Sequence, residues 1–135
     1  MTPLEILRAY KVFAIVGLSD RPSRPSTSVA SFLKERGYHI VPVNPRLAGR
    51  EILGESCYAD LESIPFPVDV VDIFRRSELV SPIVDQAIAI RARVVWMQLG
   101  VIDERSAQRA RAAGLEVVMD RCPAIELRRA AETGL

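Results

Sequence analysis

The chain has 135 residues, 49% of them hydrophobic and 26% charged, with a net charge of +1. That length suits one domain, and the composition is that of a globule rather than a disordered chain. The near-neutral balance argues against a dedicated nucleic-acid binder, and no apolar run approaches the roughly 20 residues of a membrane span.

The opening "MTPLEILRAYK" predicts a short helix with Thr2 as N-cap, Pro3 at the first helical position and Glu5 closing a capping box. It has no basic-then-apolar leader pattern, and Cys57 and Cys122 lie far apart. The expectation is reduced thiols in a cytoplasm. "VFAIVG" at 12–17 is a β-branched, apolar run, followed at 26–36 by Val29, Phe32 and Leu33 at helical spacing with Gly37 as terminator. "HIVPVN" at 39–44 is the second strand. The stretch 45–67 is less regular; Gly49 and Gly54 mark turns, with a short strand expected near Glu51–Leu53 and a helical turn near Asp60–Ser63. "VDVVDIF" at 68–74, "VVWMQLG" at 94–100 and "EVVMD" at 116–120 are three more strand runs. Between and after them lie helical segments at 78–90, 103–113 (ending at Gly114) and 122–131. Nearly continuous apolar strands alternating with helices predict an α/β domain over residues 1–135. Its core is a parallel sheet of about five to six strands with helices on both faces.

In such sheets ligands bind beyond the carboxyl ends of the strands. That rule collects Gly17 to Ser26, Asn44 to Arg46, Phe74 to Arg76 and Gln98 to Gly100. Charge is unevenly placed: residues 1–50 hold 8 Lys/Arg against 3 Asp/Glu, whereas residues 51–135 hold 10 against 14. Arg21, Arg24, Arg46 and Arg50 fall in loop-like segments, which suits a small anionic ligand. Ser19, Ser23 and Ser26 surround the start of the second helix, where backbone N–H groups favour a phosphate, and one of the three is expected to be the N-cap.

Plain NAD fits poorly. "IVGLSDRPSRPS" at 15–26 lacks G-x-G-x-x-G, and the second strand ends in Asn44-Pro45-Arg46 with no carboxylate for a ribose hydroxyl. An arginine there leaves a phosphorylated ribose open, as in NADP. His39, the one histidine, starts its strand at the end opposite the predicted site. Asp69 and Asp72 are three residues apart in one strand run, so the pleat sends them to opposite faces and they form no acid pair. Asp72 is expected to hydrogen-bond near the ligand or to satisfy loop N–H groups, with the structural role favoured. No Cys/His spacing suggests a metal site. Cys122 opens the last helix beside Arg121, an arrangement that lowers a thiol pKa; the plainer reading is an inert small residue. Cys57 has no identifiable activator.

"VGLSDRPSRPS", "YHIVPVNP", "ILGESCYADLESIP", "VDVVDIFRR", "VVWMQLG" and "VVMDRC", in this order over roughly residues 5 to 127, resemble the small stand-alone CoA-binding domain proteins. These are similar in fold to the N-terminal CoA-binding domain of the succinyl-CoA synthetase α subunit. The resemblance implies a Rossmann-like domain that holds CoA in an extended pose across the strand ends. By the family pattern, Gly17, Leu18, Ser19, Arg24 and Ser26 would hold phosphates. Asn44, Pro45 and Arg46 would meet the adenosine end, Phe74 and Arg75 would flank the nucleotide, and Gln98, Leu99 and Gly100 would line the opposite side. Leu18 stands where the family often carries alanine. The expected function is a CoA- or acyl-CoA-binding module without catalysis of its own, with no nucleic acid or membrane as partner. A protein partner or a homo-oligomer stays open. The alternative is an NADP-type reductase or a CoA-dependent transferase completed by a partner.

Overall fold

A computed structural model describes residues 1–134. Helix α1 (Pro3–Ala9) starts as its sequence dictates: Glu5 N–H donates to Thr2 Oγ1 at 3.2 Å and Thr2 N–H donates to Glu5 Oε1 at 2.7 Å. The capping box thereby satisfies two donors the first turn would leave unpaired. Then follow β1 (Val12–Val16), α2 (Pro25–Glu35), β2 (His39–Val43), the short pair β3 (Glu51–Ile52) and β4 (Glu55–Ser56), β5 (Val70–Ile73), α3 (Val80–Ala89), β6 (Val94–Met97), α4 (Glu104–Ala112), β7 (Glu116–Val118) and α5 (Pro123–Glu132). No helix of the described residues is long and apolar enough to cross a membrane.

The five longer strands form one parallel sheet in the order β2-β1-β5-β6-β7, a Rossmann-like doubly wound arrangement. Alternation along each strand splits the core into two layers. Phe13, Ile15, Val70, Val94 and Trp96 face α1, α2 and α5, packing with Ile6, Leu7, Val29, Leu33 and Ala124. Ala14, Val16, Val71, Ile73, Val95 and Met97 face α3 and α4, packing with Val80, Val84, Ala107 and Ala110. Both faces are dry, which is why the strands read as unbroken apolar runs.

The sheet order reverses between β1 and β5, so a crevice opens there at the carboxyl ends. Gly17 stands at that point with φ +92, and a Cβ on it would meet the Phe74 carbonyl oxygen at 2.6 Å. Only glycine lets the chain leave β1 this close to the end of β5.

The irregular stretch contains more structure than its sequence suggests. Glu51–Ile52 does form a strand, but as half of an antiparallel hairpin with β4, across a turn in which Leu53 and Gly54 take φ 54 and 77. That is the backbone a two-residue primed turn needs, and Leu53 is an unusual residue to supply it. Asp60 caps the expected turn at Leu61–Ser63, accepting from Ser63 N–H at 2.9 Å. Helix α3 ends without a glycine: Arg91 takes φ 58 and Ala92 N–H closes the end on the Ala87 carbonyl at 3.1 Å. The last two strand runs are shorter than expected, stopping at Met97 and Val118, because the chain turns at Gly100 (φ 79) and Asp120 (φ 58).

Candidate functional site

Two cavities lie side by side over the switch point and share Pro25 and Phe74. The first, of about 450 Å³, is lined by Gly17, Ser19, Asp20, Arg21, Arg24, Ser26, Asn44, Arg46 and Leu47 in addition to those two. Three arginines thus border one space. Among the described residues none of the three pairs with a carboxylate: the ion pairs there involve Met1, Lys34, His39, Arg109 and Arg121. With Asp20 the only acid in the lining, the cavity carries a net positive charge and unspent donors.

Its loop is tied down by its own hydroxyls. Ser26 Oγ accepts from Ser19 N–H at 3.1 Å, Ser19 Oγ accepts from Arg21 N–H at 3.0 Å, and Thr27 Oγ1 donates to the Ser19 carbonyl at 2.8 Å. None of Ser19, Ser23 and Ser26 caps α2. Pro25 occupies the first helical position, so the N-cap falls on Arg24, whose side chain makes no capping bond, and Ser26 lies inside the first turn. The start of α2 therefore keeps free donors: Thr27 and Ser28 N–H bond back to the Arg24 carbonyl, whereas Ser26 N–H has no partner among the described residues. Amides and dipole converge here with the arginines, an arrangement that binds anions.

Asn44 links the two loops. Its Nδ2 donates to the Leu18 carbonyl at 3.1 Å and its Oδ1 accepts from Arg46 N–H at 3.0 Å. Both ends of the amide are engaged, so a ribose meets no acidic group at this strand end. Leu18 is fully buried in the core below the loop, with 0% exposure, and does not line the cavity. Its bulk leaves the cavity open because the side chain is packed into the core cluster instead.

Arg75 and Pro45 are parted from this group. They line a separate small cavity of about 140 Å³ with Asp60, Leu61, Ile83 and Gln86, on the layer covered by α3. Arg75 Cδ would lie 3.0 Å from a Cβ on Gly17, so its stem packs against the back of the turn. Gly100 lines neither of the two cavities at the switch point; its N–H donates to Asp120 Oδ1 at 2.7 Å and it serves the turn.

The second cavity, of about 560 Å³, brings Gln98 and Leu99 together with Ser28, Val29, Val101, Cys122, Ala124, Ile125 and Arg128. Most of these come from the facing sides of α2 and α5, which the sequence announces only as helical spacing at 26–36 and 122–131. Trp96 Nε1 donates to the Arg121 carbonyl at 2.8 Å and so holds the start of α5 against β6. Cys122 is the N-cap residue of α5 and 5% exposed. The Arg121 guanidinium is engaged with Glu126 at 2.9 Å rather than with the thiol.

The opposite end of the sheet is structural. His39 stacks on Phe66 at 5.3 Å and faces Glu55 at 3.5 Å. Asp69 Oδ2 accepts from Val12 N–H at 3.1 Å and Lys11 N–H at 3.4 Å. Of the two roles expected of Asp72 the structural one does not hold: it satisfies no loop N–H group, is wholly buried, and neither oxygen accepts a hydrogen bond. The pleat carries it under the α2/α5 layer, below the loops it was expected to meet.

Residues 11–128 match the model of the CoA binding domain family, and the chain belongs to that family. It is 40% identical over 118 residues to the uncharacterised protein YneT of Bacillus subtilis, covering 87% of this chain and 86% of that one. The solved structure of cell-free ID.343 from Thermus thermophilus is 36% identical with a TM-score of 0.90, covering 96% of this chain and 98% of that one. A dinucleotide-forming acetyl-coenzyme A synthetase of Ca. Korarchaeum cryptofilum shares the fold at 22% identity and a TM-score of 0.71; the match spans 85% of this chain and 28% of the synthetase chain.

Proposed function

We propose that this member of the CoA-binding domain family binds coenzyme A or an acyl-CoA in the arginine-lined cavity, without a catalytic step of its own. The observation that carries the reading is the convergence of Arg21, Arg24 and Arg46, none paired with a carboxylate, on one space at the open N-terminus of α2. CoA offers what such a space wants: a diphosphate for the helix amides and Arg24, and a ribose 3′-phosphate for Arg46. Arg46 is preferred to Arg75 for the ribose phosphate because Arg75 lines the other small cavity. Asn44, with both amide ends occupied, offers a nicotinamide dinucleotide no carboxylate for its ribose. The buried, free thiols of Cys57 and Cys122 suit a reducing cytoplasm.

A thermal-shift panel tests this. CoA at about 100 times its Kd adds about 2.7 kcal/mol to the folded state and raises Tm, whereas NAD⁺ at the same concentration leaves it unmoved. Stabilisation by NAD⁺ equal to that by CoA would refute the assignment.

A further inference from the structure

Among the described residues, the buried side-chain nitrogens and oxygens with no hydrogen-bond partner are Asp72 Oδ1, Asp72 Oδ2 and Gln98 Oε1. They are neighbours. Asp72 on β5 is in register with Trp96 on β6, and Gln98, two residues further along, returns to the same face. Gln98 lies one residue beyond β6, where its N–H still donates to the Ile73 carbonyl at 3.3 Å, so its side chain is diagonal to that of Asp72 and within reach of a glutamine. Asp72 is 0% exposed and Gln98 6%.

All three atoms are acceptors when the carboxyl is ionised, and a carboxylate against an amide oxygen is repulsive. One proton resolves the conflict: a neutral carboxyl owns an O–H that can donate to Gln98 Oε1. Burial favours that form, pushing Asp72 well above the ordinary carboxylate value. With Oε1 held inward, the amide NH₂ is the end of Gln98 left for the cavity it lines.

The walls of that cavity are mostly apolar, with Val29, Phe74, Val101, Ala124 and Ile125; Ser28 adds a hydroxyl on the α2 side, and Leu99 is 55% exposed. Arg128 also lines it, its guanidinium lying over the Phe32 ring at 4.5 Å. Pro25 and Phe74 are common to both cavities, so a ligand whose phosphates occupy the first has its other end at the mouth of the second. An amide donor in an apolar chamber, one step from an anion site, matches a carbonyl carried on a short alkyl chain. We propose that the second cavity receives the acylated end of an acyl-CoA, with the Gln98 NH₂ donating to the thioester carbonyl and Asp72 acting as the positioning residue that orients Gln98. This rests on the reading that the first cavity holds the nucleotide.

Calorimetry with free CoA, acetyl-CoA, butyryl-CoA and the thioether S-butyl-CoA tests the two readings separately. In the unmodified chain, affinity rises from acetyl to butyryl by about fourfold per methylene. Butyryl-CoA binds about fivefold tighter than its thioether, which lacks the carbonyl. Gln98→Leu and Asp72→Leu remove the preference for thioester over thioether and keep the chain-length dependence. Asp72→Asn retains the preference, because its NH₂ still donates to Gln98 Oε1; a merely structural Asp72 would give no such rescue. Equal affinities of the unmodified chain for CoA, acetyl-CoA and butyryl-CoA overturn the acyl chamber while leaving the nucleotide site intact. A thioester preference that survives in Gln98→Leu overturns the role of Gln98. Failure of free CoA to bind at all overturns the nucleotide reading and this one with it.

Discussion

The two cavities meet at Phe74 and Pro25, yet they are made of different parts and opposite chemistry. The first is built mostly by the loops after β1 and β2, where exposed backbone and long cationic side chains face water. The second is built by the flanks of α2 and α5 over the end of β6, continuous with the core layer that holds Val29, Trp96, Cys122 and Ala124. Loops at a switch point can be rewritten in charge without disturbing the sheet, whereas a wall made of packed helix faces stays apolar because it is also core. A ligand with an anionic end and an apolar end is served by that contrast. The two aspartates of β5 and its approach repeat it in small: Asp69, at the edge, accepts from two amides, while Asp72, three residues on, is wholly buried and accepts from none.

The largest expected effect breaks the contrast on its charged side. A hydrogen bond to a charged group is worth about 1.5–3 kcal/mol, so Arg24→Ala weakens CoA binding roughly 10- to 150-fold by calorimetry. The loss shrinks in high salt, since these groups are part exposed. Arg46→Ala gives a comparable loss for CoA and almost none for dephospho-CoA, closing a cycle between protein and ligand. Arg75→Ala, which lies outside the cavity, leaves the affinity near that of the unmodified chain. The reverse ranking of Arg46 and Arg75 would move the ribose phosphate to the α3 side of the turn.

The next effect is on stability. Folding raises the Asp72 value above its ordinary 3.8, so the stability tied to its protonated form is fully present below that pH and is lost as pH climbs toward the folded-state value. Asp72→Asn carries no such loss. Its Tm should match that of the unmodified chain near pH 4 and exceed it by several degrees at neutral pH. A Tm difference independent of pH would mean that folding leaves the Asp72 carboxyl at its ordinary value.

The smallest effect separates the two cysteines. Cys122 lines the second cavity; Cys57 lines neither of the two and lies beside the Asn44 carbonyl at 3.6 Å. Exchange with CoA disulfide forms the bond from protein sulfur to CoA sulfur and releases one CoA thiol, so no other oxidant is needed. Intact mass should show a slow single adduct that disappears in Cys122→Ser and persists in Cys57→Ser. An adduct unaffected by Cys122→Ser would place the CoA thiol elsewhere.

Element order, both faces of the sheet and most of the first cavity were legible in the chain itself. Periodicity is a local property: runs such as "VFAIVG" and "VVWMQLG" announce buried strands whatever they pair with, and Thr2 with Glu5 announces a helix start. The carboxyl-end rule then placed Gly17, Ser19, Arg24, Ser26, Asn44, Arg46 and Phe74 together, and the fold unites them in one cavity. Tertiary structure alone decided the rest. Position along a loop does not say which side of the sheet a side chain will take, and so Arg75 and Pro45 fell to the α3 layer. Serine at a helix start reads as a cap until Pro25 moves the cap to Arg24 and Ser26 turns back to Ser19. The second cavity exists only where α2 and α5 converge, helices about 90 residues apart in sequence. Asp72 and Gln98 became a pair because β5 and β6 lie side by side in one register, and no spacing along a single chain encodes that.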